Sequence, residues 1–454
     1  MNLNVACPLL QRPTQVLRAM TSETPVPPPA SIPPPVVACS ASAPLSRRER
    51  AGVRGAGLSV ALSALVFAMT LLLPCAAARA DLFEHLGDTI RAIAPPPTAP
   101  GSFGVSVDAL PDGRLVAVTG FDILLETAPG AGVFQTAATI DPSLLASPTD
   151  PSFLVVSPTG ARVALGAGFG KPVLVFDTVA LNPTSPTTLT PTNTSVFLLD
   201  HFAAAWLDDD HLAIAAGVFG QPSFVSLLDV TSDPLAPTDP VIVSNIDGAS
   251  AGVCFDADGY LYTGNGFDNS PGAPGTSETG FIKAFSPTLW NQGADFETQG
   301  DFMADILSAG ALRFDRQGDL FVGGGDFSSG DTGDLAVVHA AALADARSNR
   351  APIDTSDPNQ VKRIDPIGDG SGFFSAIYNP AVDELLITDF TGWFATSGRR
   401  PGDLTGDGVV NGADLATLLV NFGSNNVFAD LNADGVVDGA DLATLLVNFV
   451  ADAP

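Results

Sequence analysis

The feature that most constrains the fold is a segment that recurs six times between residues 104 and 387. Each copy has an apolar strand, a turn with aspartate or glycine, a second apolar strand and, in most copies, a Gly-Phe or Asp-Phe pair. Successive copies begin 45 to 65 residues apart, the length that a four-stranded sheet and its loops require. The copies are residues 104–118, 152–165, 202–214, 251–262, 310–322 and 375–387.

Further apolar stretches follow most copies and predict two more strands for each repeat. Third strands are expected at 172–177, 223–229 and 281–285, and fourth strands at 195–199, 241–244 and 361–364. Four strands per repeat predict the blades of a β-propeller, and the pattern resembles the NHL and gluconolactonase-like propellers. We therefore expect a mainly β fold with six blades, or seven if the long intervals after Ala251 and Gly310 contain another. The last repeat lacks a clear fourth strand, so the segment 88–93 is expected to close the ring as its outer strand.

The start of the chain predicts secretion. An apolar run at residues 57–74 is preceded by arginines and followed by Ala78-Arg-Ala80, the pattern of a secretory signal peptide with cleavage before Asp81. A signal anchor is the alternative, and the shortness of the run and its interruption by serine and proline disfavour it. We expect an extracellular or cell-surface protein with no membrane span after cleavage.

The net charge limits the classes of partner that the chain can bind, and the cysteine content limits how the fold can be stabilised. Removal of residues 1–80 takes away 7 of the 20 basic and 2 of the 49 acidic residues, which leaves a net charge of −34. Such a negative field disfavours nucleic acid as a partner. Of the four cysteines only Cys254 remains, so no intrachain disulfide can form even outside the cell.

A second repeat occupies the last 52 residues, where Asp-Leu-x-x-Asp-Gly-Val-Val-x-Gly-Ala-Asp occurs twice. Calcium takes six to eight oxygens, and a 12-residue loop supplies them from positions 1, 3, 5, 7, 9 and 12 with glycine at position 6. Both copies fit this spacing, which predicts two calcium ions. The expected ligands are Asp403, Thr405, Asp407, the Val409 carbonyl, Asn411 and Asp414 in the first loop, and Asp430, Asn432, Asp434, the Val436 carbonyl, Asp438 and Asp441 in the second.

Each loop precedes an apolar helix and ends on aspartate, whereas an EF-hand loop follows a helix and ends on glutamate. This duplicated arrangement resembles the type I dockerin module over residues 402–450. The resemblance implies a small all-α calcium-loop module that binds a cohesin module on a scaffold or surface protein. It implies partner contacts at loop positions 10 and 11, which are Gly412, Ala413, Gly439 and Ala440.

The predicted domains are a removed N-terminal extension and signal peptide at 1–80, a propeller at 81–396, a linker at 397–402 and the dockerin-like module at 403–450. Both helices of the last module carry an apolar stripe. We expect the stripes to pack on each other as the core, with contact to a partner as the alternative. The stripes are Leu415, Leu418, Leu419 and Phe422, and Leu442, Leu445, Leu446 and Phe449.

Patterns typical of catalysis are scarce. The segment 248–252 satisfies the Gly-x-Ser-x-Gly formula, but a strand is expected after it instead of the helix that lifts the serine. Asp150 and His201 each precede an innermost strand. They either lie at the mouth of the central channel and act there, or have a purely structural role. Three aspartates in the loop 323–334, namely Asp326, Asp331 and Asp334, are either a further calcium site or a solvated loop.

Two functions of different classes are consistent with these observations. The first is a non-catalytic propeller that binds a glycan or protein and is tethered through its dockerin-like module. The alternative is an enzyme of extracellular polysaccharide catabolism, a hydrolase, lyase or lactonase, with its site at the channel mouth. We favour the first because the sequence contains no recognisable catalytic set.

Overall fold

The computed structural model describes most of the chain after residue 82. No helix within this part is both long and apolar enough to cross a membrane. The predicted signal peptide, its cleavage site and most of the predicted linker lie outside the described residues. Those are 83, 86, 90–93, 96, 106–146, 152–168, 170–218, 221–232, 238–246, 252–264, 280–306, 310–323, 335–364, 373–382, 384–389, 393–397, 402–405, 409–424, 426, 429–432 and 436–449.

Strands dominate the described residues. In chain order they are β1 (Ile90–Ile93), β2 (Ser106–Ala109), β3 (Leu115–Thr119), β4 (Asp122–Glu126), β5 (Phe134–Ile140), β6 (Leu154–Val156), β7 (Arg162–Gly166), β8 (Val173–Asp177), β9 (Thr187–Leu189), β10 (Asn193–Thr194), β11 (Asp200–Trp206), β12 (His211–Gly217), β13 (Ser223–Asp229), β14 (Val241–Ile246), β15 (Val253–Phe255), β16 (Leu261–Gly264), β17 (Gly280–Phe285), β18 (Ala294–Asp295), β19 (Asp301–Ile306), β20 (Ala311–Phe314), β21 (Leu320–Gly323), β22 (Leu335–Val338), β23 (Val361–Ile364), β24 (Phe373–Asn379), β25 (Glu384–Asp389) and β26 (Trp393–Ser397). The helices are α1 (Pro287–Trp290), α2 (Ala340–Asn349), α3 (Gly412–Val420) and α4 (Gly439–Asn448), with 3₁₀ turns at Pro142–Leu144 and Thr178–Ala180.

Six sheets form the blades of a propeller. Listed from the inner to the outer strand, blade 1 is β2-β3-β4-β5, blade 2 is β6-β7-β8-β10, blade 3 is β11-β12-β13-β14, blade 4 is β15-β16-β17-β19, blade 5 is β20-β21-β22-β23 and blade 6 is β24-β25-β26-β1. Each innermost strand contacts the innermost strand of the next blade, and β24 of blade 6 contacts β2 of blade 1. The ring is therefore closed, and the prediction of a mainly β, six-bladed propeller is confirmed.

The first turn of blade 4 shows how the aspartate and glycine of the sequence repeat act. In blade 4 the Oδ1 atom of Asp256 accepts hydrogen bonds from the backbone N–H groups of Asp258 and Tyr260, both at 2.9 Å. Gly259 follows with a φ of 78°, a conformation that glycine adopts without strain. The aspartate and glycine of the repeat thus fix a tight reversal between the first two strands.

The ring closes through the N-terminal strand, as the sequence predicted. β1 pairs antiparallel with β26, with Ile90 opposite Thr396 and Ile93 opposite Trp393. Residues about 300 positions apart in the chain therefore share one sheet, and blade 6 has its fourth strand. Without this pairing, β26 would present a row of unpaired backbone groups at the edge of the sheet.

A buried phenylalanine holds the segment that leads into β1. Phe83 packs with residues of blades 5 and 6, among them Leu335 and Tyr378. Its ring centroid lies 4.7 Å from that of His339 and 4.8 Å from the Nζ atom of Lys362. Lys362 also donates a hydrogen bond to the carbonyl of Phe83. The N-terminal segment is therefore anchored at blade 5 before it crosses to blade 6.

The long intervals between repeats contain connections that reach back to the preceding blade. β9 pairs in parallel with β5, and β18 pairs in parallel with β14, so blades 1 and 3 each gain a fifth strand. In blade 5 the connection contains α2, and Ile353 N donates to Met303 O of β19 at 2.8 Å. These segments explain the irregular spacing without a seventh blade.

One predicted strand is wrong. Residues 195–199 are not a strand, and the outer strand of blade 2 is the short β10 that precedes them. The hydroxyl of Ser195 accepts from Val173 N at 2.9 Å and lies 3.3 Å from the Phe197 carbonyl, which ends the ladder. Phe197 instead packs against Phe224 of blade 3, with ring centroids 5.0 Å apart.

We predict that deletion of residues 81–95 opens blade 6. The chain 96–454 loses the β1 pairing and the burial of Phe83, a side chain whose removal from a core typically costs about 3–5 kcal/mol. Compared with the chain 81–454, it should melt at a lower temperature and elute as aggregates in size-exclusion chromatography. A monomeric product with an unchanged melting temperature would contradict the assigned closure.

Candidate functional site

The two helices of the C-terminal module begin with the same pair of caps. The side chain of Asn411 accepts from Ala413 N, and that of Asp438 accepts from Ala440 N, each at 2.7 Å. The last residue of each loop forms the reciprocal hydrogen bond of a capping box. In the first loop, Oδ2 of Asp414 accepts from Asn411 N at 2.8 Å. In the second loop, Oδ2 of Asp441 accepts from Asp438 N at 2.7 Å. The predicted ligands at positions 9 and 12 therefore also fix where the helices start.

Negative charge is concentrated in the first loop. Asp403 is 2 % exposed and Asp414 is fully buried. The hydroxyl of Thr405 lies 3.5 Å from Oδ1 of Asp403 and 3.0 Å from Oδ1 of Asp414. The structure thus brings positions 1, 3 and 12 together around one point. Two buried carboxylates so close repel each other unless a proton or cation compensates their charge.

The second loop repeats this arrangement in part, because its position 12 is buried and its position 1, Asp430, is half-buried. Asp441 is fully buried, and its Oδ1 atom accepts from Leu431 N at 2.7 Å and from Asn432 N at 3.1 Å. The side chains of Val409 and Val436 point to solvent. Asp407 and Asp434, at position 5 of each loop, lie outside the described residues. Within the described part of the chain, no three acidic, histidine or cysteine side chains form a ready-made metal cluster.

The donor set of both loops fits a hard cation. The ligand positions carry carboxylate, hydroxyl and amide oxygens, the groups that calcium prefers. The segment 402–454 contains no lysine, arginine or histidine, so no side chain of this module can neutralise its carboxylates.

The predicted partner positions lie on the first turns of the two helices. Gly412, Ala413, Gly439 and Ala440 are exposed, and a Cβ atom added to either glycine would meet nothing within 4 Å. These positions offer open backbone but no side-chain hydrogen-bonding group.

The apolar stripes form the core only in part. Leu418 and Leu445 are buried together with Val410, Ala429 and Val437. The next positions of the stripes, Leu419, Phe422 and Leu446, are exposed together with Val420 and Val447. Two helices of nine and ten residues bury one side only, so the expected packing of the stripes is confirmed for Leu418 and Leu445 and for the half-buried Leu415, Leu442 and Phe449, and it is wrong for Leu419, Phe422 and Leu446.

In the propeller, one histidine sits in the seam between blades 2 and 3. His201 pairs with Ala216, which pairs with Phe224, so these three residues share one face of blade 3. Ala216 packs with Phe153 and Val173 of blade 2. A bulge between His201 and Ala203 interrupts the regular alternation of the strand, and bulges commonly re-aim a side chain. No sequence pattern marks this bulge, and Asp150 lies outside the described residues.

Burial dominates the chemistry of this imidazole. His201 is 3 % exposed, and both of its ring nitrogens are buried. Desolvation lowers the pKa of His201 from 6.5 to about 4, although the nearby backbone of Lys171 favours the charged form. The imidazole is therefore neutral at ordinary pH.

The other described histidines are separate from it. His211 contacts Asp208 with 2.9 Å between Nδ1 and Oδ1, and His339 caps α2 beside Phe83. The serine of the segment 248–252 lies outside the described residues, and a strand follows it as expected. The aspartates of the loop 323–334 also lie outside the described residues.

A partly buried ion pair links three blades on the channel side of the ring. Arg313 of β20 lies 3.1 Å from Oδ2 of Asp108 on β2, measured from Nη2. The same carboxylate oxygen accepts from Val156 N of β6 at 2.8 Å. Blades 5, 1 and 2 are thus joined at one point, and we assign these residues a structural role.

No protein-family model matches the chain, and no curated protein is similar to it. Among solved structures, the chain is similar to the PQQ domain of pyranose dehydrogenase from Coprinopsis cinerea, with 12 % identity, a TM-score of 0.44 and coverage of 68 % of this chain and 96 % of that one. It is also similar to regucalcin, a calcium-binding protein of Agrobacterium tumefaciens, with 11 % identity, a TM-score of 0.39 and coverage of 67 % and 84 %. At these values the similarities assign neither ligand nor activity.

We predict that His201 makes the fold acid-sensitive. The unfolded chain takes up a proton near pH 6.5 and the folded chain only near pH 4, so stability falls as the pH drops through this window, by about 3 kcal/mol. In urea unfolding measured between pH 7 and pH 4, His201→Leu should reduce this loss. The exposed His211→Leu is the control and should retain it. Equal pH dependence of wild type and His201→Leu would refute the assignment.

Proposed function

We propose that this protein is a secreted adaptor with a calcium-dependent C-terminal module. The paired loops bind two calcium ions, and the module tethers the chain to a cohesin-like module on a scaffold or cell surface. The propeller binds a glycan or protein ligand and is thereby held at that scaffold.

The observation that carries the calcium site is the charge buried in the first loop. Asp403 and Asp414 both approach the Thr405 hydroxyl, which can donate its proton to only one of them. The segment offers no basic side chain. A divalent cation at this point would neutralise both carboxylates, and the duplicated sequence extends the same argument to Asp430 and Asp441.

The surface that supports a protein partner lies at the C-terminal ends of the helices. Val420 is 86 % exposed and Val447 is 84 % exposed, each next to an exposed leucine. Adjacent exposed apolar side chains are typical of interaction surfaces. The predicted contacts at Gly412, Ala413, Gly439 and Ala440 supply no side chain of comparable size. We therefore assign the main binding contribution to the helix ends and a supporting one to the loop positions.

We predict two calcium sites of unequal affinity in the full mature chain. The second loop should bind first, because Asp438 is charged where Asn411 is neutral and Asn432 offers an amide where Thr405 offers a hydroxyl. Affinities of extracellular calcium modules lie at about 10⁻⁴–10⁻³ M. In calorimetric titrations of chelated protein, Asp430→Ala should weaken the first binding event more than Asp403→Ala. Equal losses would contradict the ranking, and an absence of calcium binding would refute the site.

We predict that charge at the helix ends weakens tethering. A double variant, Val420→Asp with Val447→Asp, should weaken binding to a panel of type I cohesin modules at least tenfold, because buried interface anchors contribute about 2 kcal/mol or more each. Ala413→Ser with Ala440→Ser is the matched control at the loop positions and should change affinity less. Surface plasmon resonance in calcium measures both, and a larger loss for the serine variant would refute the assignment.

A further inference from the structure

The two proposed calcium loops differ at position 9, which is Asn411 in the first loop and Asp438 in the second. A glycine follows this residue in both loops. Asparagine before glycine is prone to spontaneous loss of the side-chain amide, because glycine has no Cβ atom that keeps its backbone nitrogen away from the asparagine side chain. The first loop therefore contains an amide that can be lost where the second loop already has a carboxylate.

The surroundings of Gly412 do not shield this pair. Gly412 is exposed and Asn411 is half-buried, and a Cβ atom added to Gly412 would meet nothing within 4 Å. Gly412 is the first residue of α3, and the first four N–H groups of a helix have no partner within it. Water and base therefore reach the reacting atoms once the asparagine side chain is released.

Two hydrogen bonds hold Asn411 in the folded loop. Its Oδ1 atom accepts from Ala413 N at 2.7 Å, and its backbone N–H donates to Oδ2 of Asp414 at 2.8 Å. Loss of the amide requires the Cγ atom of Asn411 to turn onto the nitrogen of Gly412 and close a five-membered ring, a movement that the hydrogen bond from Ala413 N opposes. The folded loop thus slows the reaction, and local opening of the loop releases it.

Calcium governs how long the first loop stays folded. Asp403 and Asp414 are buried on either side of the Thr405 hydroxyl, and the segment 402–454 contains no basic side chain. The repulsion between the two carboxylates opens the loop unless a cation compensates it. Removal of calcium should therefore free the side chain of Asn411.

The second loop shows that the fold accepts one product of the reaction. Asp438 caps α4 by accepting from Ala440 N at 2.7 Å, the distance at which Asn411 caps α3. Its N–H donates to Asp441, as that of Asn411 donates to Asp414. Aspartate in place of Asn411 would thus keep the cap and add a charged calcium ligand. Isoaspartate would instead add a methylene group to the main chain and displace the cap.

We propose that Asn411 is a site of spontaneous deamidation and that bound calcium restrains the reaction. A module that has spent time without calcium then carries a covalent mark in its first loop. This inference rests on the proposed calcium binding and concerns the fate of the same loop.

The reaction needs water as its only co-reactant and involves no oxidation or reduction. The nitrogen of Gly412 attacks Cγ of Asn411, the Cγ–Nδ2 bond breaks, and Nδ2 leaves as ammonia with the proton that Gly412 gives up. Water then opens the ring. Its attack at Cγ gives aspartate, and its attack at the main-chain carbonyl carbon gives isoaspartate. In both cases the nitrogen of Gly412 regains a proton from that water.

The test incubates the full mature chain at mildly alkaline pH with calcium or with a chelator and follows deamidation by peptide mass mapping. Asn411 should react at least about tenfold faster in chelator, because a reaction that needs the open loop proceeds in proportion to the time that the loop spends open. Asn265, which also precedes a glycine, lies outside the calcium loops and outside the described residues. It is the internal reference and should react at the same rate in both conditions.

Variants of the two glycines separate the chemistry from the fold. Gly412→Ala should slow deamidation of Asn411 in chelator at least about tenfold, because the added Cβ atom hinders the attack. The structure has space for this atom, and alanine favours the helix. Gly439→Ala, the same change in the second loop, is the matched control and should not slow the reaction. Asn411→Asp, which copies one product, should strengthen the weaker calcium-binding event in calorimetric titrations.

The outcomes distinguish this inference from the proposed function. Calcium binding together with equal deamidation rates of Asn411 in calcium and in chelator overturns the inference and leaves the proposed calcium sites intact. An equal acceleration of Asn265 in chelator also overturns it, because the effect would then not be specific to the loop. An unmodified Asn411 in chelator overturns the modification site itself. Absence of calcium binding overturns both the inference and the proposed calcium sites.

Discussion

The pairing of β1 with β26 is the interaction on which the rest of the ring depends. A row of six blades has two open ends, and each blade buries its faces only against its neighbours. When residues 90–93 join the sheet that contains residues 393–397, blade 6 becomes complete and its inner strand lies against blade 1. The two ends of the propeller sequence are then held by the same backbone hydrogen bonds. Phe83 strengthens this closure from outside because it fixes the approach of the chain at blade 5.

A second constraint acts at the rim, where the outer strand of each blade is an edge. Exposed edges invite pairing with other chains, and this chain covers several of them with its own connections. The fifth strands β9 and β18 and the contact of Ile353 with β19 each come from the following blade. They also tie consecutive blades together. The long spacing between some repeats is thus a consequence of how the rim is covered.

The two proposed functional regions differ in how their polar groups are balanced. In the propeller, most buried polar groups that we describe have partners, as Asp108 has in Arg313 and Val156, and burial keeps His201 neutral. In the C-terminal module the imbalance is one of charge, because carboxylates are buried in a segment without basic residues. Buried carboxylates without basic partners favour a bound cation.

The sequence by itself determined the elements whose pattern is local. Apolar stretches separated by turns with aspartate or glycine placed the first two strands of all six blades. The 12-residue spacing selected Asp403 and Thr405, which lie beside Asp414, and Asn432, which contacts Asp441. Tertiary structure alone decided what depends on distant contacts. It replaced the expected strand at 195–199 with β10, because Phe197 packs on blade 3. It added β9 and β18, which pair with strands of another repeat. It left Leu419, Phe422 and Leu446 exposed, because two short helices bury one side only. It also placed His201 in the seam between blades 2 and 3, beside a bulge that no local sequence pattern marks.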